Sequence, residues 1–292
     1  MGWRQFVMHL EQLEPERIEE ILGRHGALAV TLTDAADEPV LEPAPGETPL
    51  WGQTRITGLF PIDADFDALT LDLLASLGVE RLPDYWLEDL ADREWEREWE
   101  RDFQPMRFGR RLWVCPSGHE VSDLDAVVIR LDPGLAFGTG THPTTALCLA
   151  FLDSENMEGR RMLDYGCGSG VLAIAAVLLG AASATGVDID PQALVAAGSN
   201  SVANGVGGRL ALLPGNADCG SAYDVVVANI LARPLIDMAP RLAASIAPGG
   251  RLALSGILTN QADAVQAAYE AWIDFDPPRS SDDWVLLTGT KQ

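Results

Sequence analysis

The fold of this 292-residue chain is decided by one stretch, LDYGCGSG at residues 163–170. The apolar run Val171–Leu179 follows it, and together they predict a strand, a tight turn and then a helix. Glycines suit such a turn because a Cβ would keep the backbone away from a ligand. In open α/β sheets ligands bind beyond the carboxyl ends of the strands, so this turn is a candidate binding site.

The spacing of the glycines indicates which ligand the turn binds. Dinucleotide-binding turns follow GxGxxG and place a pyrophosphate on the helix N-terminus. This turn follows GxGxG, with Asp164 two residues before its first glycine. S-adenosylmethionine has no phosphate, and its ammonium group needs a carboxylate or a carbonyl. We therefore expect Asp164 and the turn around Gly168 to contact S-adenosylmethionine; the alternative is a turn that only caps the helix.

From this turn onward, short apolar stretches alternate with helical ones. This alternation predicts a parallel, doubly wound, Rossmann-like α/β sheet. The predicted strands are residues 161–165, 184–188, 209–213, 224–228 and 250–255. Polar residues at the ends of these strands are therefore candidates for the binding site.

Acidic residues follow two of the predicted strands. Asp188 ends the second strand and can accept both ribose hydroxyls of an adenosine, which nicotinamide cofactors also carry. Asp190 is expected to cap the next helix, because Pro191 would be its first residue. Asp218, after the third strand, either reaches the adenine amine or lies in a surface loop.

An asparagine leaves the fourth strand, in the sequence NILA at residues 229–232. The side-chain carbonyl of Asn229 can accept a hydrogen bond from an amine and aim the nitrogen lone pair at a methyl group. The pattern resembles the Asn-Pro-Pro-Tyr motif of amino-methylating enzymes, but it lacks the aromatic that stacks on a planar base. A flexible aliphatic amine is therefore the expected acceptor, and a turn-capping asparagine is the alternative.

The segment LDPGLAFGTGTHPTT at residues 131–145 precedes the first strand of the sheet and is expected to fold over the cofactor. Thr145 can offer a hydroxyl at the methionine end, and Phe137 can cover the sulfonium through a cation–π contact. For His142, which precedes a proline, we favour a structural hydrogen bond over a role as a base.

The first ninety residues predict a small ferredoxin-like domain. Strands over residues 3–10, 27–33, 51–60 and 85–90 alternate with helices over 15–25 and 65–77, in the order β-α-β-β-α-β. Trp95 and Trp99 are four residues apart and predict a connecting helix with one aromatic face. We expect a ferredoxin-like domain over residues 1–90, a linker helix over 91–110 and the catalytic domain over 111–292.

Composition limits the function classes. The net charge is −23, and residues 1–100 contribute 7 Arg and 23 acidic residues, a net charge of −16. Such a field repels nucleic acid and attracts basic partners, although it can also serve only solubility. We expect no signal peptide, because the first residues lack a basic region that leads into an apolar run. The sequence also contains no bilayer-length apolar run and no CxxC pair. We expect a cytoplasmic protein with reduced thiols and no metal.

The motifs at residues 131–145, 164–170 and 229–232 together resemble the ribosomal protein L-eleven methyltransferase family, the PrmA type. The resemblance covers the whole chain. It implies S-adenosylmethionine as methyl donor, trimethylation of the N-terminal α-amine and lysine ε-amines of a large-subunit ribosomal protein, and an N-terminal domain that holds this substrate. It also implies cofactor contacts for Thr145, Gly166, Asp188 and Asn229.

Three alternatives remain open at this point. The modified lysines can belong to another protein, such as an electron-transfer flavoprotein. A nicotinamide dehydrogenase would share Asp188 and the sheet, but it conflicts with the GxGxG spacing. A non-catalytic acidic module that binds ribosomal protein would leave Asn229 and residues 131–145 unexplained.

Overall fold

The structure, a computed structural model, describes residues 2–36, 51–90, 104–132 and 142–292. The chain divides into two compact units, Met1–Trp95 and Glu96–Gln292, which we call the N-terminal and C-terminal units. Trp95 and Trp99 of the predicted linker helix lie outside the described residues. The C-terminal part of that predicted helix is wrong, because Met106–Phe108 form a strand in which Phe108 pairs with Leu112.

The described residues of the N-terminal unit form a four-stranded antiparallel sheet with two helices. Its elements are β1 Trp3–His9, α1 Pro15–Arg24, β2 Ala29–Asp34, β3 Thr54–Pro61, α2 Phe66–Leu77 and β4 Tyr85–Leu90. The strand order β2-β3-β1-β4 confirms the ferredoxin-like prediction. Alternate strand residues such as Phe6, Met8, Ile56 and Phe60 are almost fully buried in the same core cluster as Ile18 of α1.

The C-terminal unit begins with a small sheet and continues into a large one. The small sheet contains β5 Met106–Phe108, β6 Leu112–Cys115 and β7 Val127–Arg130. The strands of the large sheet are β8 Arg161–Tyr165, β9 Ser183–Asp188, β10 Leu210–Pro214, β11 Tyr223–Asn229, β12 Ile246–Leu258, β13 Ile273–Phe275, β14 Arg279–Ser281 and β15 Trp284–Lys291. The α-helices that the structure describes here are α3 Pro143–Ser154, α4 Val171–Leu178, α5 Pro191–Ala203, α6 Ala232–Asp237, α7 Ala239–Ser245 and α8 Ala262–Tyr269.

The large sheet has the order β10-β9-β8-β11-β12-β15-β13, with β14 paired to β15. The first five of these strands are parallel, as predicted, whereas β15 runs antiparallel to β12, β13 and β14. Strand β12 is longer than the predicted 250–255. Apolar cores lie on both faces of the sheet, as in a doubly wound fold.

The strand order reverses next to β8, and this reversal places the site. From β8 the chain proceeds through β9 to β10 on one side and later through β11 to β12 on the other. Ligands of open α/β sheets bind at such a switch point, outside the carboxyl ends of the strands. The carboxyl ends of β8 and β11 therefore mark the candidate site.

Candidate functional site

The turn after β8 is held against its two neighbouring strands. Gly166, Gly168 and Gly170 have φ angles of +80°, +52° and +78°, which glycine adopts more readily than other residues. The N–H of Gly166 donates to the carbonyl of Val187 at 2.7 Å. A Cβ on Gly166 would lie 2.2 Å from Cγ2 of Ile230, which follows β11. The turn is therefore packed between the ends of β9 and β11, with no room for a side chain at its first position.

Asp188, at the end of β9, is oriented by the backbone. Its Oδ2 accepts a hydrogen bond from the N–H of Gly168 at 2.8 Å, and its Oδ1 accepts one from Asp190 at 2.9 Å. Each carboxylate oxygen keeps acceptor capacity for a further donor, such as a ribose hydroxyl. Asp190 caps α5 by accepting from the N–H of Gln192 at 2.8 Å, which confirms the predicted cap.

Asp164, in β8, is fully buried. Its Oδ2 accepts from the N–H of Ala173 in the first turn of α4, at 3.1 Å. Its Oδ1 has no hydrogen-bond partner among the described residues. Burial raises the pKa of this carboxyl to about 7; the Ala173 bond opposes this rise and the nearby charge of Asp188 adds to it. A buried carboxylate oxygen without a partner is uncommon, and it points to a donor from a ligand.

Asn229 ends β11 on the other side of the switch point. Its Nδ2 donates to Oγ1 of Thr145, a buried residue in the first turn of α3, at 3.3 Å. This bond directs the amide so that its Oδ1 is a buried acceptor without a partner among the described residues. Two unused acceptors, Oδ1 of Asp164 and Oδ1 of Asn229, thus belong to the two strands that flank the switch point.

His142 is a structural residue, as the sequence favoured. It is the N-cap of α3, where its side chain accepts from the N–H of Thr144. Its ring also packs edge-on against Trp284 with a centroid distance of 4.8 Å. Burial lowers the pKa of His142, so the neutral ring that a cap requires is favoured at neutral pH.

The other predicted site residues lie apart from this arrangement or outside the structure's description. Phe137 falls in residues 133–141, outside the described residues. Asp218 is exposed and accepts from the N–H of Gly220 at 2.9 Å, which is the geometry of a surface turn. Among the residues that the structure describes, no three metal-ligating side chains come together and no helix is long and apolar enough to span a membrane.

Sequence reasoning missed two residues that shape the site. Gly256, in the bulge of β12, has a φ of +80°, and a Cβ there would lie 2.4 Å from the carbonyl oxygen of Ile230. A glycine inside an apolar strand is a recognisable signal of such a bulge. Asn200, in α5, donates from Nδ2 to the carbonyl of Ser169 at 2.9 Å. No sequence pattern marks that contact, because it joins residues 31 positions apart.

The chain is similar over almost its full length to one protein family and to several of its named relatives. The family model described as "Ribosomal protein L11 methyltransferase (PrmA)" matches residues 2–292. A relative named ribosomal protein L11 methyltransferase from Actinobacillus pleuropneumoniae serotype 5b is 49% identical over 293 residues, covering 100% of both chains. Its namesake from Pseudomonas aeruginosa strain PAO1 is 50% identical over 294 residues, covering 100% of this chain and 99% of the relative.

One solved structure is also similar to this chain. The crystal structure of a ribosomal protein L11 methylase from Lactobacillus delbrueckii subsp. bulgaricus is 33% identical, with a TM-score of 0.60. It covers 65% of this chain, and the match includes 100% of that structure.

Proposed function

Because the chain belongs to the ribosomal protein L11 methyltransferase family, we propose that it transfers methyl groups from S-adenosylmethionine to amines of the large-subunit ribosomal protein L11. The observation that carries this proposal is a pair of buried acceptors, Oδ1 of Asp164 and Oδ1 of Asn229, that have no partner among the residues the structure describes. They belong to neighbouring strands that end at the switch point. One acceptor suits a cationic donor molecule and the other suits an amine.

The residues of the switch point fit S-adenosylmethionine. Asp164 offers a carboxylate to an ammonium group, and Asp188 offers two oriented oxygens to the ribose hydroxyls. Gly166 lets the turn pack closely against Ile230 at the end of β11, where a Cβ would not fit. Thr145 and Asn229 lie at the same edge, and Gly168 holds Asp188 in place. Phe137, which is not among the described residues, remains our candidate for the contact with the sulfonium.

The reaction is a direct displacement in which a neutral amine takes a methyl group from a sulfonium. The carbon–sulfur bond breaks as the carbon–nitrogen bond forms, and the product amine releases a proton if it still carries one. The chain contributes mainly alignment and desolvation. Oδ1 of Asn229 accepts a hydrogen bond from an N–H of the amine, while Nδ2 of Asn229 donates to Thr145. Lysine, with a pKa of about 10.4, must lose a proton before it can react, whereas an α-amine near about 7.8 is already partly neutral.

The open face of the N-terminal sheet is our candidate for the substrate-binding surface. Its residues alternate with those that pack on α1 and α2, and one row across it is Thr31, Thr57, Val7 and Trp86. Trp86 is 39% exposed, and the Arg55 guanidinium lies 5.5 Å from its ring centroid. Val7, in the middle of this row, is only 4% exposed, so Trp86 is the accessible apolar side chain of the row. Exposed tryptophan side chains are typical of interfaces. The charge of −16 in residues 1–100 favours a basic partner.

The test is methylation of the purified ribosomal protein, followed by its intact mass. We expect stepwise methyl-sized gains that disappear for Asp188→Ala. Binding of S-adenosylhomocysteine, measured by calorimetry, is the control. If S-adenosylhomocysteine bound but the ribosomal protein gained no mass, the chain would still be assigned as a methyltransferase but not of this substrate. Another basic protein would then be tested. Absence of binding would contradict the assigned donor site.

A further inference from the structure

Helix α5 contacts the glycine turn directly. Ala197, Asn200 and Asn204 are three and four residues apart, so they lie on one face of the helix. A Cβ on Gly170 would lie 2.9 Å from Cβ of Ala197, which shows how closely this face approaches the turn. The helix also starts two residues after Asp188, at the cap residue Asp190. The acidic end of β9 and the turn are therefore both attached to α5.

Two side chains satisfy the backbone where the turn becomes α4. The N–H of Ala173 belongs to the first helical turn, where it has no carbonyl partner in the helix, and it donates to Asp164 instead. The carbonyl of Ser169 precedes the helix and accepts from Nδ2 of Asn200 at 2.9 Å. Asp164 thus holds the turn from the side of β8, and Asn200 holds it from the side of α5.

The turn needs such external bonds because of its own composition. Three of the residues from Gly166 to Gly170 are glycines with positive φ, and glycine has more conformational freedom to lose than any other residue. Ser169 lies next to Gly168, whose N–H donates to Asp188. The N–H groups of Gly166 and Cys167 hold the start of the turn on Val187, so a shift at Ser169 would act mainly on the adjacent Gly168 and on the bond that orients the Asp188 carboxylate.

We propose that Asn200 is a positioning residue for the methyl donor: its amide fixes the Ser169 carbonyl and thereby the turn and the Asp188 carboxylate. This inference rests on the proposed function. It predicts an effect on donor binding without an effect on the chemical step, because Asn200 contacts the turn and is not assigned to the acceptor amine. Asn200→Ala should raise KM for S-adenosylmethionine about tenfold, with kcat unchanged, because a released turn that holds the binding conformation about a tenth of the time lowers the apparent affinity by the same factor.

Asn204 provides a matched control on the same helix. Its Oδ1 accepts from the N–H of Arg130 and its Nδ2 donates to the carbonyl of Arg130, both at 2.7 Å. Its Nδ2 also donates to the backbone carbonyl of Asn200 at 2.8 Å, a bond that Asn200→Ala leaves in place. Asn204→Ala thus removes more side-chain hydrogen bonds than Asn200→Ala, and none of them is made to the turn itself. A purely structural role for both residues predicts a larger loss of stability for Asn204→Ala and the same KM for the two variants.

The experiment compares Asn200→Ala, Asn200→Asp and Asn204→Ala in the full chain. Thermal unfolding, S-adenosylhomocysteine binding by calorimetry, and kcat and KM for the donor are measured for each. We expect weaker donor binding for both Asn200 variants, more so for the aspartate, whose carboxylate would face the Ser169 carbonyl. Asn204→Ala should have a lower Tm and a KM within about twofold of the wild type, since its bonds do not reach the turn.

Two results would overturn the inference: an unchanged KM in Asn200→Ala, or an equal rise in KM for Asn200→Ala and Asn204→Ala. Failure of the proposed function would look different. In that case the wild-type chain itself would neither bind S-adenosylhomocysteine nor methylate the ribosomal protein.

Discussion

The sheets of the two units are covered to different extents, and this difference separates two kinds of site. In β11 the consecutive residues Val225, Val226 and Val227 are all fully buried, because helices cover both faces of the large sheet. In the N-terminal sheet the described helices pack against one face, and β3 shows the difference between the faces: Ile56 is buried, whereas its neighbours Arg55 and Thr57 on the other face are partly exposed. A sheet buried on both faces can bind only at its edge, which suits a small molecule. A sheet with an open face can bind a macromolecule.

The largest effect should come from a side chain in the turn at the edge of the large sheet. Gly166→Ala places a Cβ 2.2 Å from Cγ2 of Ile230 at a φ of +80°, so the turn or the Ile230 side chain must shift. We expect donor binding to fall about a hundredfold or more, measured by calorimetry with S-adenosylhomocysteine. The control is Gly159→Ala, where φ is +69° but nothing lies within 4 Å of the new Cβ. Equal losses in both variants would mean that an alanine at positive φ destabilises the protein in general and that the contact of Gly166 with Ile230 has no specific effect on binding.

The second-largest effect is expected for Asn229→Ala, because this change removes the acceptor assigned to the amine. The first two transfers should slow about tenfold to a hundredfold. The third should slow least, since a neutral dimethylamine has no N–H to donate. Time courses of mono-, di- and trimethylated substrate, resolved by mass spectrometry, measure each step. Equal slowing of all three steps would reject the hydrogen bond to Oδ1 and indicate a general disturbance of the edge.

Asp164 should make the stability of the C-terminal unit and its affinity for the donor change in opposite directions with pH. Its folded pKa is raised to about 7 by burial, against about 3.9 in an unfolded chain. The folded state therefore holds the proton longer, and the stability of the unliganded protein should fall as pH rises from about 4 to about 7. Affinity for the cationic donor should rise with pH toward and through about 7, as the carboxylate ionises.

Asp164→Asn isolates this contribution. The variant should abolish both pH trends, with a higher Tm than the wild type above pH 7 and weaker donor binding, because an amide has no charge to oppose an ammonium group. Thermal unfolding and calorimetry across pH 5 to 8 measure both quantities. A wild-type Tm that rises steadily over this range, with no change in Asp164→Asn, would contradict the buried-carboxyl explanation.

A change on the open face of the N-terminal sheet should affect binding of the protein substrate but not binding of the methyl donor. Trp86→Ala should raise KM for the ribosomal protein several-fold to about tenfold and leave KM for the donor unchanged. Leu71 is the control, because it is 67% exposed on α2, whereas Trp86 lies on the open sheet face. Leu71→Ala should alter neither constant. If the two variants behaved alike, the open face would have no special role in substrate binding.

Residues within one element were predictable, and contacts between distant elements were not. The turn at 163–170 was recognisable because its glycines are adjacent, and Asp188 and Asn229 were recognisable because each ends an apolar strand. Strand β15 carries no such marker: it is inserted antiparallel between β12 and β13, and its position depends on pairing that the local pattern does not encode. The Asn200 contact was missed for the same reason.

The smallest effect should come from Asp72 of the N-terminal unit, and it should have the opposite sign to that of Asp164. Hydrogen bonds from Ser76 and then His25, and the charge of Arg24, lower the pKa of Asp72 below its ordinary value. The stability it contributes is therefore present above the unfolded pKa of about 3.9 and is lost as pH falls through the folded pKa. Asp72→Asn should slightly weaken the hydrogen-exchange protection of α1 and α2 at neutral pH and differ little from the wild type at pH 3. The control is Asp63→Asn, at an exposed acid outside both helices, which should leave the protection of both helices unchanged. If protection of α1 and α2 instead fell as pH rose, the two units would share one electrostatic behaviour, and the contrast between a buried acid at the sheet edge and a paired acid near the surface would not hold.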